Sequence, residues 1–228
     1  MVHYPGFTLL DLAGPEAVLG LHGQVHLVAA SRGPVPTDNG ARLEAGIAYH
    51  EAPDRFDVLF VPGGLATNRA MTDVPLLRFL AAHGARAGWV TSVCSGSLLL
   101  AAAGLLRGYR AAAHWLARDA LAALGAEVSR DRVVVDRHRV TGGGVTAGID
   151  FGLVLLARLR GEEAAQTTQL AMEYDPQPPF SAGTPETAGP VITHRARSNG
   201  RFGRARSRHR GRDSRRPPES IHPFAARR

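Results

Sequence analysis

Two hydrophobic patterns alternate along the first 160 residues. Short apolar runs predict buried strands at residues 25–30, 57–61 and 89–93, and a short strand pair at 133–135 and 139–141 joined by a turn at 136–138. Longer segments with helical spacing separate them. The predicted helices cover residues 74–83, 95–106, 114–124 (with Gly125 as the stop), 146–159 and 162–174.

Strands that alternate with helices predict an α/β fold with a mostly parallel central sheet and helices on both faces. In open sheets of this kind, functional groups lie beyond the carboxyl ends of the strands. Two turns are therefore of interest: Pro62-Gly63-Gly64 after the strand at 57–61, and Cys94-Ser95-Gly96-Ser97 after the strand at 89–93.

The periodic pattern ends at residue 190. The segment 190–228 holds 12 of the 27 basic residues, all arginine, and only two acids, so it carries +10 while the rest of the chain carries −3. We predict one folded domain over 1–189 and a disordered tail over 190–228, because the tail has too few apolar residues to offset the entropy of ordering. The absence of lysine fits the hypothesis that the tail is an out-of-frame end of a GC-rich gene. The mildly acidic body offers no electrostatic reason to expect nucleic acid as a partner.

A single cysteine excludes an intramolecular disulfide and suits a reducing compartment. The start of the chain lacks the features of a secretory signal, and the longest apolar runs are too short to span a bilayer. We therefore expect a cytoplasmic protein with no membrane association. No metal-ligand spacing occurs in the sequence.

Cys94 lies where a hydrophobic strand runs into a helix that is rich in small residues. A tight turn there would expose the sulfur above the sheet edge, and the start of the helix would favour a thiolate. The alternative is an inert, buried cysteine. The sequence pattern leaves both interpretations open.

Three further candidates also have structural alternatives. The Gly63 and Gly64 N–H groups would serve as oxyanion donors together with Ser95, or simply end a strand. Asp11, between leucines, would be a buried acid with a raised pKa, or a helix cap. His114 would exchange a proton with the cysteine, or only begin a helix. Asp150 and Glu173 are interpreted as structural carboxylates.

Taken in series, several segments resemble the ThiJ/PfpI (class I glutamine amidotransferase-like) superfamily, in particular its isonitrile hydratase branch. They are YPGF with LDLAGP at residues 4–15, the strand and turn at 57–64, the segment 90–106, AHW at 113–115, VTGGGVTAGIDF at 140–151 and MEYDPQPPFSAGTP at 172–185. The resemblance covers roughly residues 4 to 188.

The resemblance implies a flavodoxin-like α/β sandwich, a homodimer, and a cysteine-dependent enzyme that needs no cofactor. It places the nucleophile at Cys94, the acid at Asp11 and the adjacent hydroxyl at Ser95, and it matches His114 to a histidine near the nucleophile. Two departures stand out. Only residues 1–4 precede the Pro-Gly-Phe turn, which would leave a short central strand, and the arginine-rich tail stands where the closing helix should follow Ala188.

The expected chemistry is hydration of an isonitrile to an N-substituted formamide through a covalent thioimidate on Cys94, with Asp11 as acid and then base. The resemblance also allows a glyoxalase-like or deglycase-like enzyme that acts on reactive carbonyls, and a ligand or redox sensor without turnover. A DNA-binding regulator of this superfamily would need a further helical region of roughly a hundred residues.

Overall fold

The computed structural model describes residues 1–198, so most of the predicted tail lies outside the described residues. The α-helices are α1 (Leu9–Leu19), α2 (Thr67–Ala70), α3 (Val74–Gly84), α4 (Gly96–Ala102), α5 (Arg118–Ala123), α6 (Ala147–Arg160), α7 (Glu162–Ala171) and α8 (Pro185–Ser198), with 3-10 turns at Tyr49–Glu51 and Trp115–Ala117. The strands are β1 (Val28–Ala29), β2 (Gly33–Pro36), β3 (Arg42–Ala45), β4 (Ile47–Ala48), β5 (Val58–Val61), β6 (Trp89–Val93), β7 (Arg110–Ala111), β8 (Glu127–Val128), β9 (Val133–Asp136) and β10 (Arg139–Gly142).

The central sheet has the order β5-β6-β10-β9, in which β5, β6 and β10 run parallel and β9 is antiparallel. Val61 pairs with Ser92, and Val93 pairs with Gly142. The three parallel strands therefore end at nearly the same level, which brings the turns that follow them to one edge. The predicted α/β fold with a mostly parallel sheet is confirmed.

The first residues of the chain extend this sheet. The Val2 N–H donates to the Phe60 carbonyl at 2.8 Å, and the His3 N–H donates to the Val28 carbonyl at 2.9 Å. The segment therefore lies between β5 and β1, and β1 pairs in turn with β4. Short as it is, this segment has hydrogen-bond partners on both sides.

The two faces of the sheet are covered by different helices. Leu59 and Val61 in β5 belong to the same hydrophobic cluster as residues of α3 and α4. Phe60, which lies between them, packs with Phe151 and Leu155 of α6 in a second cluster. This alternation follows from the two-residue period of a strand, and it confirms helices on both faces.

Several element boundaries differ from the prediction. The strand predicted at 25–30 is reduced to Val28–Ala29, and the helix predicted at 95–106 ends at Ala102 because Gly104 adopts a positive φ of 80°. The helix predicted over 114–124 begins as a 3-10 turn. The sequence pattern did not predict α1 as a helix, although Asp11 lies in it.

The closing helix is present, which corrects two expectations. Residues 190–198, expected to be disordered and to replace this helix, form the second part of α8, after a break at Gly189 with φ 73° and ψ 172°. The predicted boundary between 189 and 190 coincides with that break. The division of the chain into a domain and a tail stays a prediction, since residues 199–228 are outside the described part. Within residues 1–198, no helix combines the length and apolar character needed to cross a membrane.

Candidate active site

Groups from three parts of the chain meet at the carboxyl edge of the sheet. The turn Pro62-Gly63-Gly64 follows β5, Cys94 follows β6, and α1 supplies Asp11 from its first turn. A hydrogen bond of 2.9 Å from the Gly63 N–H to Asp11 Oδ2 joins the first turn to α1. The edge that the sequence analysis singled out therefore holds both the predicted nucleophile and the predicted acid.

Cys94 occupies a strained backbone position. Its φ of 61° lies in the left-handed region, which costs a residue with a Cβ atom roughly 1–2 kcal/mol. The surroundings hold it there: its N–H donates to the carbonyls of Gly142 and Gly143 at 3.1 and 2.7 Å, and its carbonyl accepts from the His114 N–H at 3.3 Å. This is the geometry of a strand–nucleophile–helix elbow. The alternative of an inert core cysteine does not account for such strain.

Glycines make the close approach at this elbow possible. A Cβ atom on Gly63 would lie 2.5 Å from the Ser95 nitrogen and 2.9 Å from Asp11 Oδ2. A Cβ on Gly96 would lie 2.9 Å from the Pro62 carbonyl oxygen. Both glycines are thus required by sterics rather than by φ.

The Asp11 side chain is fully buried, with an exposed fraction of 0%. Burial raises the pKa of its carboxyl to about 7, against the opposing effect of its contacts with the Cys94 thiol and the Gly63 N–H. Oδ1 has no hydrogen-bond partner within the described residues. The predicted raised pKa is confirmed, and the capping alternative is wrong, because Thr8 precedes α1 and Asp11 lies inside it.

The Cys94 thiol is also buried, with an exposed fraction of 6%. Burial raises the pKa of the thiol well above its usual value, and the nearby Asp11 carboxylate raises it further. The Ser95 N–H and hydroxyl act in the opposite direction. The N–H at the start of the helix thus favours the thiolate, as expected, but burial and the Asp11 carboxylate act more strongly, so the net effect on the pKa of the thiol is upward.

The Gly63 and Gly64 N–H groups already have acceptors inside the protein. Gly63 donates to Asp11, as described above, and Gly64 donates to Ser95 Oγ at 3.1 Å. They were expected to be oxyanion donors. In this arrangement they instead fix the position of the acid and of the hydroxyl, because an N–H that already has a charged or hydroxyl acceptor is not available to a substrate.

Two residues that sequence reasoning missed lie behind Ser95. Thr67 Oγ1 is 2.8 Å from Ser95 Oγ, and the Tyr4 hydroxyl is 2.9 Å from Thr67 Oγ1. Thr67 comes three residues after Gly64, at the start of α2. The sequence signal that could have identified Thr67 is a hydroxyl residue one helical turn after the glycine turn at this edge. Tyr4 appeared in the sequence analysis only as part of a motif.

His114 contacts the elbow through its backbone. Its Nδ1 accepts a hydrogen bond from the Leu116 N–H at 3.3 Å, as expected at the start of a helical turn. Burial lowers the pKa of the ring, and Arg118 lowers it further, so the ring is neutral near pH 7. A neutral ring whose Nδ1 is an acceptor carries its hydrogen on Nε2. The structure thus places His114 beside Cys94, and a role in proton exchange stays a prediction.

The other two predicted carboxylates are explained by contacts or exposure that do not involve Cys94. Asp150 is the structural carboxylate that was expected: its Oδ2 lies 2.7 Å from Arg132 and accepts from the Tyr174 hydroxyl at 3.0 Å. Glu173 is exposed just beyond α7. Nowhere in residues 1–198 do three His, Cys, Asp or Glu side chains gather in a way that would hold a metal ion.

The sequence profile of the DJ-1/PfpI family matches residues 1–158 of the chain. The chain belongs to the DJ-1/PfpI family. The elbow at Cys94, the acid on α1 and the parallel sheet described above are therefore to be understood as parts of a DJ-1/PfpI domain, which confirms the superfamily that the sequence resembles.

Within this family, the chain is 45% identical over 196 residues to an isonitrile hydratase from Pseudomonas putida, covering 85% of this chain and 86% of that enzyme. It is 37% identical over 172 residues to the HTH-type transcriptional regulator CdhR from Pseudomonas aeruginosa, covering 71% of this chain but only 50% of the regulator. A crystal structure of a ThiJ/PfpI family protein from Pseudomonas syringae superimposes with a TM-score of 0.83 at 48% identity, covering 86% and 82% of the two chains.

Proposed function

We propose that this protein is an isonitrile hydratase, a lyase that converts an isonitrile to an N-substituted formamide. The observation that carries the proposal is the pairing of the Cys94 thiol with a buried carboxyl, Asp11, whose pKa lies near neutrality. The 45% identity to the Pseudomonas putida enzyme over most of both chains supports the same activity.

In the first step, the isonitrile carbon gains a proton and a sulfur. Asp11 in its protonated form gives its proton to the carbon through Oδ1, the oxygen with no hydrogen-bond partner among residues 1–198. The Cys94 thiolate forms the new C–S bond, and the product is a thioimidate, R–N=CH–S–Cys94. Asp11 is left as a carboxylate, so the thiol proton has moved to the substrate carbon by way of the pair.

In the second step, the thioimidate is hydrolysed. The Asp11 carboxylate takes a proton from water as the water oxygen attacks the same carbon. Asp11 passes this proton to the nitrogen. As the carbonyl group forms and the C–S bond breaks, the second proton of the water returns to the Cys94–Asp11 pair, and the N-substituted formamide leaves. Cys94 and Asp11 together hold one proton again, as they did at the start. One carboxyl group acts first as acid and then as base, which suits a pKa near 7.

Other site residues have supporting roles in this proposal. Gly63 and Gly64 place Asp11 and Ser95, and the Ser95 N–H and hydroxyl stabilise the thiolate. His114 forms the boundary of the site next to the Cys94 carbonyl group. The reaction needs no cofactor. We further propose a cytoplasmic location, which suits a chain with a single cysteine, and a homodimer, as the family resemblance implies.

The test is formamide production from an aryl and a cyclohexyl isonitrile by the purified protein beside Cys94→Ala. We expect turnover in the parent and only the uncatalysed background in the variant, because the covalent intermediate cannot form. Circular dichroism establishes that both are folded. Methylglyoxal is assayed in parallel. Its consumption, without formamide from either isonitrile, would replace the proposal by the deglycase-like alternative.

A further inference from the structure

A run of glycines holds the backbone of Cys94. The glycine turn, which we define as residues 142–146, leads from the end of β10 to the start of α6. Its first two residues, Gly142 and Gly143, supply the carbonyl groups that accept the Cys94 N–H, at 3.1 and 2.7 Å. Gly144 follows them directly. Glycine has more backbone freedom than any other residue, so three in succession do not stiffen the turn by themselves. The strained conformation of Cys94 therefore depends on restraints from outside the turn.

Arg132 contacts the glycine turn near both of its ends. Its backbone carbonyl accepts the Gly143 N–H at 2.8 Å. Its guanidinium reaches the other end, where Nη2 donates to Thr146 Oγ1 at 3.2 Å and Nε donates to Asp150 Oδ2 at 2.8 Å. Thr146 is the N-cap residue of α6, and Asp150 lies in the first turn of that helix. One residue thus connects the two ends of the turn and joins both to α6.

The ion pair between Arg132 and Asp150 is partly exposed. The side chains are 52% and 30% accessible, and Asp150 Oδ2 also accepts from the Tyr174 hydroxyl at 3.0 Å. A pair of this kind adds little to the stability of a whole domain. It has its largest effect on a segment that has few other restraints, and the glycine turn is such a segment. We therefore expect a local role for Arg132 rather than a global one.

We propose that Arg132 is a positioning residue: it fixes the glycine turn from both ends and so holds the two carbonyl groups that keep Cys94 in its left-handed conformation. Arg132 acts through the backbone of Gly142 and Gly143 and does not itself touch the sulfur. Without the guanidinium, the turn and the Cys94 N–H would separate more often. The part of this inference that concerns turnover rests on the proposed isonitrile hydratase activity.

Amide hydrogen exchange followed by NMR tests the proposal without any substrate. We expect Arg132→Met, which keeps the aliphatic stem and removes the guanidinium, to speed exchange of the Cys94 N–H about fivefold. The Val90 N–H, near the other end of β6, donates to the His138 carbonyl at 3.1 Å and should change less than about twofold. An unchanged rate at Cys94 overturns the proposal. Equal acceleration at both amides also overturns it, because that indicates general destabilisation.

Arg130→Met is the matched control. Arg130 is two residues away and is also paired with a carboxylate, Glu186, at 3.0 Å. That pair connects it to α8 rather than to the glycine turn. We expect the Cys94 N–H to exchange at the parent rate in this variant. The same acceleration as in Arg132→Met would contradict the proposal.

A double-mutant cycle tests whether Arg132 acts through Asp150. We expect Asp150→Asn to speed exchange of the Cys94 N–H by no more than Arg132→Met does. The double variant should be no faster than Arg132→Met alone, because without the guanidinium Asp150 no longer restrains the turn. A double variant in which the two effects multiply in full would show that the residues act independently, and would overturn this route.

Turnover of an isonitrile is the last readout. We expect Arg132→Met to lower kcat about fivefold with KM changed less than about twofold, since the nucleophile is misplaced while the rest of the site is kept. A normal kcat in Arg132→Met, in a parent that does turn over, contradicts the positioning role. Failure of the parent to make formamide contradicts the proposed function instead, and the exchange rates then decide the role of Arg132.

Discussion

The residue that defines this site is held in a costly conformation next to a carboxyl that is itself costly to ionise. Cys94 adopts φ 61°, and Asp11 is fully buried, with one oxygen that has no hydrogen-bond partner in the described part of the chain. Neither feature stabilises the fold. Under the proposed function, both serve to place a sulfur and a proton donor beside the isonitrile carbon, and strain of this kind is what functional sites retain.

The ionisation of this pair predicts how activity varies with pH. Below pH 7 both groups hold their protons, and no thiolate is available. Removal of one proton, with an apparent pKa of about 7, gives the pair that reacts, either as carboxylate and thiol or as its tautomer, carboxyl and thiolate. We therefore expect kcat/KM to rise about tenfold per pH unit up to pH 7 and then to level off. The measurement is formamide formation between pH 5 and 9.

Asp11→Asn tests which group causes the rise of kcat/KM up to pH 7. We expect it to lower kcat/KM at least ~100-fold. The rise of kcat/KM that levels off near pH 7 should also disappear, because the remaining thiol ionises only at higher pH. Glu16→Gln is the matched control, as Glu16 is an exposed carboxylate on the same helix. A full rate with an unchanged profile in Asp11→Asn contradicts the acid–base role.

At the scale of elements, the sequence predicted the parts whose local pattern agrees with their surroundings. Strand β6 was predicted with its observed bounds, and α3 and α6 to within one residue at each end, since each is a run of apolar residues with clear end signals. Helix α4 ends earlier than predicted, because its backbone geometry rather than its apolar pattern sets the end. Gly104, with its positive φ, stops α4 inside a run that is apolar throughout.

Helix α1 shows why some elements could not be predicted from the sequence. Gly14 and Pro15 argue against a helix in isolation, yet both lie in its contact with α6. A Cβ on Gly14 would be 3.3 Å from Ile149, and a Cβ on Gly148 would be 3.0 Å from Pro15. The close packing of two helices thus overrides local propensity. In the same way, Cys94 and Asp11 were predictable from position and residue type, whereas Thr67 became visible only once α2 was placed beside the elbow.

The turn after β5 gives a prediction at this scale. Gly63→Ala introduces a Cβ 2.5 Å from the Ser95 nitrogen and 2.6 Å from Ser95 Oγ, so the β5 turn and the elbow must separate. We expect a loss of about 1–3 kcal/mol in the free energy of unfolding and of most activity. Gly46→Ala is the control, because nothing lies within 4 Å of a Cβ there. Urea unfolding and the formamide assay measure both effects, and equal behaviour of the two variants contradicts the steric argument.

For the whole molecule, two buried groups impose opposite pH dependences on stability. Burial raises the pKa of Asp11 from 3.8 to about 7, so its ionisation destabilises the fold as the pH rises through that range. Burial lowers the pKa of His3 from 6.5 to about 4, so the fold loses stability as the pH falls from 6.5 to 4. Between pH 4 and 6.5 the two effects oppose each other, and each amounts to about 3–4 kcal/mol.

Replacing either group should reveal the pH dependence of stability that the other group causes. We expect Asp11→Asn to be more stable than the parent above pH 7 by roughly 3–4 kcal/mol, and to lose stability on acidification below pH 6.5. His3→Leu should instead gain stability as the pH is lowered from 7 to 4. Urea unfolding followed by tryptophan fluorescence at pH 4.5, 6 and 8 gives these values. If the free energy of unfolding changes with pH in the same way in the parent and in Asp11→Asn, then Asp11 does not titrate in the folded protein.

The glycines that bring the β5 turn against the elbow also have a consequence for engineering. Gly63 and Gly96 leave no volume for a side chain, so a library that varies them will return mostly inactive proteins. Leu10 and Leu65 adjoin Asp11 and Gly64 in the sequence, and each is 43% exposed. We expect substitutions at these two positions to be tolerated by the fold, because both side chains are partly exposed. A search for variants with a different substrate range should therefore diversify the leucines and keep the glycines constant.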